Sequence, residues 1–501
     1  MSNYLIDRLL APREESDDTF LILPDETRLS YRAFSESVNQ TANCLVERGL
    51  RPGDRLAARV AKSWRTLALY LGTVKAGGVF LPLNTAYTAG EVGYFVENAE
   101  PRFLVCDPES SEALSRLMTP GQDTVLTLDA VGNGSLADAT DACSIRFDPV
   151  ARAASDLASI LYTSGTTGRS KGAMLTHDNL WSNAQVLADH WQFTKQDILL
   201  HALPIFHTHG LFVASNVTLL SGSSMIFLPG FDLDEMIRCL PQATSMMGVP
   251  TFYTRLLDDS RFTGELVQHV RLFVSGSAPM LAETHVAFEQ RTGHRILERY
   301  GMTETGMNTS NPYIGERRAG TVGPALPGIE VRVVDPESGE PLSIGEIGMV
   351  QVRGPNVFPG YWKMPDKTAE EFTEDGFFIT GDLGTLSEDH YLTIVGRGKD
   401  LIISGGYNIY PKEVELVLDE LPGVGESAVI GVPHPDFGEG VVAVLTGASP
   451  PSEKEIRELV SDRLARFKQP RKVFHIDSLP RNSMGKVQKN VLRDNYKEAF
   501  A

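Results

Sequence analysis

Cysteine is scarce in this chain. Cys44, Cys106, Cys143 and Cys239 are the four among 501 residues. They lie far apart and match neither a CxxC metal site nor a dense disulfide framework, which points to a reducing compartment. No uninterrupted apolar run of ~18 residues occurs, so the sequence offers no membrane span. The stretch from Met1 to Asp17 lacks the basic start and apolar segment of a secretory signal. A cytoplasmic location is the expectation. Positive charge is also short, with 46 basic residues against 64 acidic ones and a net charge of −18. Such a chain is repelled by phosphate backbones and anionic lipid, which argues against nucleic acid and membrane as partners. It leaves room for a local basic pocket that takes a small anion. No repeat of solenoid length is present.

What the chain does have is length and ordinary globular texture. At 501 residues it exceeds the size at which one hydrophobic core keeps growing, so at least two domains are expected. A hydrophobic content of 42% argues against disorder. Apolar segments such as Ile198 to Pro204, Ser224 to Leu228 and Leu272 to Ser275 read as buried strands, and Ala282 to Thr292 reads as a helix. This alternation predicts an α/β fold with largely parallel sheets. From Gly328 the texture shifts to closely spaced strands and turns: Ile329 to Val334, Gly348 to Arg353 and Phe377 to Thr380. Beyond Gly396-Arg-Gly-Lys-Asp400 lies a short α+β segment, with helices at Pro411 to Leu421 and Glu453 to Phe467 and a strand at Ser427 to Val432. The organisation expected is a large N-terminal domain of α/β layers over 1–396, including a small β-rich subdomain about 328–395. A hinge at 397–400 and a small α+β domain over 401–501 follow.

The most informative string is Thr163-Ser-Gly-Thr-Thr-Gly-Arg-Ser-Lys-Gly172, after a strand at Ile160 to Tyr162. Small residues let backbone N–H groups turn toward an anion, and hydroxyls add donors. Lys171 supplies positive charge. It is not a Walker A loop, because Gly165 and Gly168 are only three apart and Gly172 stands where Ser or Thr is required.

The string resembles the phosphate loop of the adenylate-forming superfamily, which includes acyl-CoA synthetases, adenylation domains of peptide synthetases and luciferases. Other motifs follow in the family's order and span essentially the whole chain. They are Tyr300-Gly-Met-Thr-Glu304, Thr380-Gly-Asp-Leu383, Gly396-Arg-Gly-Lys-Asp400, Ser404-Gly-Gly-Tyr-Asn408 and Pro480-Arg-Asn-Ser-Met-Gly-Lys486. The resemblance implies ATP, Mg2+ and coenzyme A as cofactor and substrates, and a mobile C-terminal domain. A carboxylate is a poor electrophile, and adenylation gives its oxygen a good leaving group. The enzyme then has mainly to position two anions and neutralise their charge.

Residue by residue, the resemblance assigns Thr163, Ser164, Gly165, Thr166, Thr167, Gly168 and Lys171 to the phosphates. Glu304 holds Mg2+, with the hydroxyl of Thr163 or Thr167 nearby. Ser277, Ala278 and Pro279 lie along adenine, with Tyr300 opposite and Glu298, Arg299, Gly301, Met302 and Thr303 completing that strip. Asp382 accepts the ribose hydroxyls, and Arg397 contacts ribose or phosphate. Lys486 bridges the acid's carboxylate and the α-phosphate. Lys399 takes the pivot position. Ser404, Gly405 and Gly406 admit the pantetheine tether of CoA. Lys486 on an accessible segment is also an expected target of a lysine acetyltransferase, since acetylation removes its charge.

The acid is read from fewer residues. His207 and His209, in Leu203-Pro-Ile-Phe-His-Thr-His-Gly-Leu211, share a face if extended. They lack a third metal ligand, and His207 reads better as a gate or carboxylate donor. Arg299, next to Tyr300, needs an anionic partner, and a second carboxylate on the substrate suits a guanidinium fork. Arg238 is the alternative cation. Pro82 to Thr88, Glu298 to Thr305 and Arg481 to Lys489 resemble malonyl-CoA synthetases. The expectation is ligation of a small dicarboxylic acid, malonate or methylmalonate, to CoA. A short-chain monocarboxylate ligase and a stand-alone adenylation domain remain the alternatives.

Overall fold

The computed structural model describes residues 2–118, 124–163, 170–404, 407–461, 463–482 and 485–500. The chain divides into two compact units, Met1–Glu330 with Val352–Phe378, and Val331–Gln351 with Ile379–Ala501. This division differs from the boundary expected at 397–400. The reason lies in local pairing: Phe378–Leu386 pairs antiparallel with Leu392–Arg397, and the helix Pro411–Asp419 packs against the latter strand. The β-rich segment thus groups with the C-terminal residues.

The first unit holds two sheets. In a six-stranded sheet the order is Val125–Thr127, Phe103–Cys106, Arg55–Arg59, Val79–Pro82, Leu157–Thr163 and Lys171–Thr176. Its first five strands are parallel and the last is antiparallel. An eight-stranded sheet runs Gly306–Ser310, Leu297–Met302, Leu272–Ser275, Ser245–Gly248, Ile198–His201, Ser224–Phe227, Thr19–Ile22 and Arg28–Ser30. Its interior is parallel and both edge pairs are antiparallel. Interior strands such as Phe103–Cys106, Ser245–Gly248 and Leu272–Ser275 are buried along their whole length. That is the continuous apolar pattern of parallel strands covered on both faces.

Helix positions follow from capping and apolar spacing. Thr176 caps His177–His190 by accepting from the Asn179 N–H, and Asn179 reciprocates. Ala282–Thr292 ends at Gly293 in the left-handed region, with φ 75°. Its Phe288 is fully buried and meets Tyr253, Phe262 and Phe273 with ring centroids 5.0–5.6 Å apart.

The second unit carries a four-stranded sheet in the order Glu330–Val334, Gly348–Arg353, Phe378–Leu386 and Leu392–Arg397. It also carries a five-stranded sheet built around Glu426–His434 and Gly438–Thr446. The helix expected from Glu453 to Phe467 spans only Glu453–Val460. Residue 462 lies outside the described residues; the Leu464 N–H bonds the Val460 carbonyl, and the Leu464 side chain packs in the same core. Among the described residues no helix is long and apolar enough to cross a membrane.

Phe288→Ala should cost about 3–5 kcal/mol of stability, the usual loss for a buried aromatic. A chemical denaturation series on the full chain should show the first unit's transition moving to lower denaturant, with the second unit's unchanged.

Candidate active site

The phosphate loop begins and ends on paired strands. Thr163, last residue of Leu157–Thr163, stands opposite Lys171, first residue of Lys171–Thr176. Ser164, Gly165, Thr166, Thr167 and Gly168 lie outside the described residues. The Lys171 ammonium bonds Glu371 at 2.8 Å and sits 4.0 Å from the Tyr361 ring centre. The Tyr361 hydroxyl lies 2.6 Å from Glu371 and 3.1 Å from Glu304. Burial, then the charge of Glu304, drives the Tyr361 hydroxyl far above its ordinary range, so it stays protonated and donates. Burial opposes ionisation of Glu371, but the Lys171 and Tyr361 hydrogen bonds outweigh it and lower its pKa. One chain of contacts thus joins the loop's lysine to Glu304.

Glu304 is 6% exposed, and its backbone carbonyl accepts from the Phe358 N–H. Its carboxylate beside Glu371 offers the hard oxygen donors that Mg2+ takes. Among the described residues no cluster of three or more His, Cys, Asp or Glu stands ready for a metal. The residues therefore fit an Mg2+ ion that brings phosphate and water ligands with it. The second expected donor, Thr167, is outside the described residues.

A second group of side chains surrounds Arg299, on strand Leu297–Met302. Arg299 is 3% exposed, and its Nε and Nη2 are buried without a hydrogen-bond partner. These two nitrogens form one edge of the guanidinium, the edge that grips a carboxylate with two parallel bonds. Burial lowers its pKa to about 9, which still leaves it charged at neutral pH. Gly276 makes room for it, because a Cβ there would lie 2.4 Å from the guanidinium carbon.

Both expected histidines feel this charge. Burial, reinforced by Arg299, lowers the pKa of His207 to about 4 and that of His209 well below its usual value. Each ring is neutral at pH 7. The His209 backbone N–H donates to His207 Nδ1 at 3.3 Å. The His207 proton therefore sits on Nε2, which makes the ring a donor at that edge. His209 Nδ1 lies 3.2 Å from the Ser277 hydroxyl. Ser277 has φ 72°, a strained value for a residue with a side chain, and Ala278 and Pro279 follow it.

Tyr300, Gly301, Met302 and Thr303 run on from Arg299 as a half-buried strip. Glu298 points elsewhere: its carboxylate is buried against His285 at 3.1 Å, and the Gly320 N–H approaches it. Successive strand residues face opposite sides, so Glu298 and Arg299 cannot share a pocket. Arg238 is also placed elsewhere. It lies on the exposed helix Leu233–Cys239, paired with Glu235 at 2.7 Å and Glu26 at 3.3 Å. Its partners are already acidic, and it lines a small surface cavity with Glu26, Arg28 and Gln242.

In the second unit, Asp382 and Arg397 are opposite residues of an antiparallel pair, with Asp382 Oδ1 2.7 Å from Arg397 Nε. Asp382 is 4% exposed, and its N–H donates to the Thr380 hydroxyl. Gly381 before it has φ 72°. Lys399 occupies the short turn Gly398–Asp400, whose Asp400 pairs with Arg493 at 2.5 Å. The Lys486 backbone N–H donates to the Asn482 side chain at 3.0 Å. Although the residue is exposed overall, enclosure of its ammonium lowers its pKa, Arg397 adding to the effect while Asp382 and Asp400 oppose it. Ser404 is buried at the end of strand Ile402–Ser404. Gly405 and Gly406 lie outside the described residues.

Gly276, Tyr361 and Glu371 were not among the residues singled out from sequence. Gly276 directly precedes Ser277, a signal that was available. Glu371 is 200 positions from Lys171, and nothing local announces their pairing.

A part-buried lysine linked to a glutamate, a buried guanidinium and an aspartate–arginine pair are parts that suit an adenylating enzyme. The AMP-binding enzyme family model matches residues 10–362, and the model for the AMP-binding enzyme C-terminal domain matches residues 413–486. The chain belongs to the AMP-binding enzymes and is adenylate-forming. Among its relatives is the malonate–CoA ligase of Arabidopsis thaliana, 35% identical over 89% of this chain and 78% of that protein. The mitochondrial malonate–CoA ligase ACSF3 of Mus musculus is 36% identical over 83% of this chain and 77% of that protein. The ATP-bound crystal structure of MatB from Rhodopseudomonas palustris is 55% identical, covers 100% of both chains and superposes with a TM-score of 0.98.

Gly276→Ala should force the guanidinium off its backbone seat. A displacement near 1 Å costs on the order of 100-fold in such sites. Acid-dependent AMP release should fall at least about tenfold through KM for the acid, while ATP affinity by calorimetry stays at the wild-type value.

Proposed function

We propose that the chain ligates malonate to coenzyme A through an acyl-adenylate, releasing pyrophosphate and then AMP. The observation that carries this reading is the buried Nε–Nη2 edge of Arg299, which has no hydrogen-bond partner among the described residues. A buried charge without a partner costs several kcal/mol, so such an arginine is kept for an anion that arrives from outside. A monocarboxylic acid spends its single carboxylate on the α-phosphate. Only a second carboxylate answers Arg299, and His207, a neutral donor, stands beside it. The similarity to malonate–CoA ligases supports the same acid. Methylmalonate differs by one methyl, worth only ~1–3 kcal/mol in a pocket.

The residues divide the work as follows. Lys171 and the loop hydroxyls neutralise the triphosphate. Glu304 holds Mg2+, which when bound supplies charge neutralisation at the phosphates. Asp382 takes the ribose hydroxyls, and Arg397 orients Asp382 through their 2.7 Å ion pair. The distal carboxylate on Arg299 leaves the proximal one free to attack the α-phosphate in line, with Lys486 between the two anions. The thiol of CoA then attacks the acyl carbon, and AMP departs. Lys399 is proposed as the pivot for the change between these steps, with Ser404 toward the pantetheine arm. The cytoplasm is the proposed compartment, and a lysine acetyltransferase acting on Lys486 is the proposed regulator.

The test is a panel of short mono- and dicarboxylates, assayed for AMP release and thioester formation with ATP and CoA. Malonate should lead and butyrate should be poor. Equal rates for both classes would make the chain a short-chain monocarboxylate ligase. Acyl-AMP without thioester would make it a stand-alone adenylation domain. Arg299→Leu should lower kcat/KM for malonate by about 100-fold or more, the cost of stranding one partner of a buried charge pair, and change butyrate little. Lys486→Ala should abolish adenylation yet retain thioester formation from supplied acyl-adenylate; loss of both half-reactions alike would remove Lys486 from its bridging role.

A further inference from the structure

Among the described residues no carboxylate pairs with the ammonium of Lys62. Its Nζ lies 2.8 Å from the His201 carbonyl and 3.0 Å from His201 Nδ1, and 4.3 Å from the centre of the Phe227 ring. Both hydrogen-bond acceptors therefore belong to one residue. His201 ends strand Ile198–His201 and is fully buried. Its other nitrogen, Nε2, lies 2.9 Å from the Gly210 carbonyl. A carbonyl only accepts, so Nε2 carries the proton, and Nδ1 is left to accept from Lys62. The two contacts reinforce one tautomer. Burial disfavours charge on both groups, so a neutral His201 is the expected state.

Gly210 is where this chain of bonds meets the acid pocket. It sits in the π-helical segment His209–Ser215, a wide turn of the kind that recurs at functional sites. Its carbonyl also accepts from the Ser215 hydroxyl at 2.9 Å. The turn is folded tightly on the residues before it, since a Cβ on Gly210 would lie 2.1 Å from the Pro204 carbonyl oxygen. His207 and His209, the two rings under the Arg299 charge, lie just before this point in the chain. Across the turn the Leu211 N–H donates to the His207 carbonyl at 3.0 Å, which ties the His207 backbone to it.

We propose that Lys62 and His201 are positioning residues for the acid pocket: by holding the Gly210 carbonyl they fix the π-helical turn that aims His207 and His209. Neither side chain is required to touch the substrate. Their effect is on recognition of the acid, and the ATP-binding residues are untouched. The inference rests on the acid reading of the His207–Arg299 pocket.

The experiment compares wild type with Lys62→Met, His201→Phe and His201→Gln, the last retaining an N–H that reaches a carbonyl. KM and kcat are measured for malonate, for butyrate and for ATP, and melting is recorded for each variant. Lys62→Met and His201→Phe should raise KM for malonate by about tenfold, the worth of one buried hydrogen bond lost, with KM for ATP within about twofold of wild type. His201→Gln should recover most of that loss. A parallel rise in KM for ATP and acid, or no rescue by Gln, would overturn the proposal. Nitrogen NMR of the histidines gives a readout that needs no substrate. His201 should show the Nε2–H tautomer in wild type, and the His207 and His209 signals should shift in Lys62→Met; unmoved signals would overturn it too. If wild type rejects malonate, the acid reading fails by itself, and the NMR result still decides the role of Lys62 and His201.

Discussion

The proposed acid pocket depends on one charge taken out of water, a guanidinium whose Nε and Nη2 have no hydrogen-bond partner among the described residues. Arg299 is buried, and among the described residues no acidic side chain bonds the Nε–Nη2 edge of its guanidinium. The surroundings are arranged for that charge. Gly276 removes the side chain that would collide with it. His207 and His209 are held neutral by burial and by the arginine itself, so the pocket does not accumulate further positive charge. An uncompensated charge costs stability in the free protein, and the binding of an anion recovers it. Stability is thereby exchanged for discrimination: an acid that brings no second carboxylate leaves the penalty standing.

The phosphate end uses the opposite device. There each charge already has a partner. Lys171 is matched by Glu371, and Tyr361 shares its hydroxyl between Glu371 and Glu304. Asp382 is matched by Arg397 across a strand pair. These contacts hold the groups in place in the free chain. The two strategies suit the two ligands, since ATP is bulky with many handholds and the acid is small with two.

Much of this was legible in the residue order. Helix Ala282–Thr292 and strands Leu272–Ser275 and Gly348–Arg353 fall where apolar spacing and turn residues place them. Arg299 was legible because it adjoins the Tyr300 motif, and the structure buries it. Arg238 misled because a cation on a helix carries no sign of its partners; Glu26 lies 212 positions away. The Lys171–Glu371 pair and the Lys62–His201 pair were hidden for the same reason, as both join segments that only the folded sheets bring together. The helix from Glu453 was read to Phe467 because its apolar pattern continues to Leu464, and the described helix covers Glu453–Val460.

The Lys171–Glu371 contact has a consequence for which anions the loop will take. A lysine already satisfied at 2.8 Å offers little to a passing anion of one or two charges, because what is gained at the new partner is lost at the old. A triphosphate carrying its own metal brings enough charge to win that exchange and several donors' worth of contacts besides. In the proposed reaction Lys171 thus acts as a threshold, passing over anions of low charge and yielding to a ligand whose charge exceeds that of a carboxylate several times over.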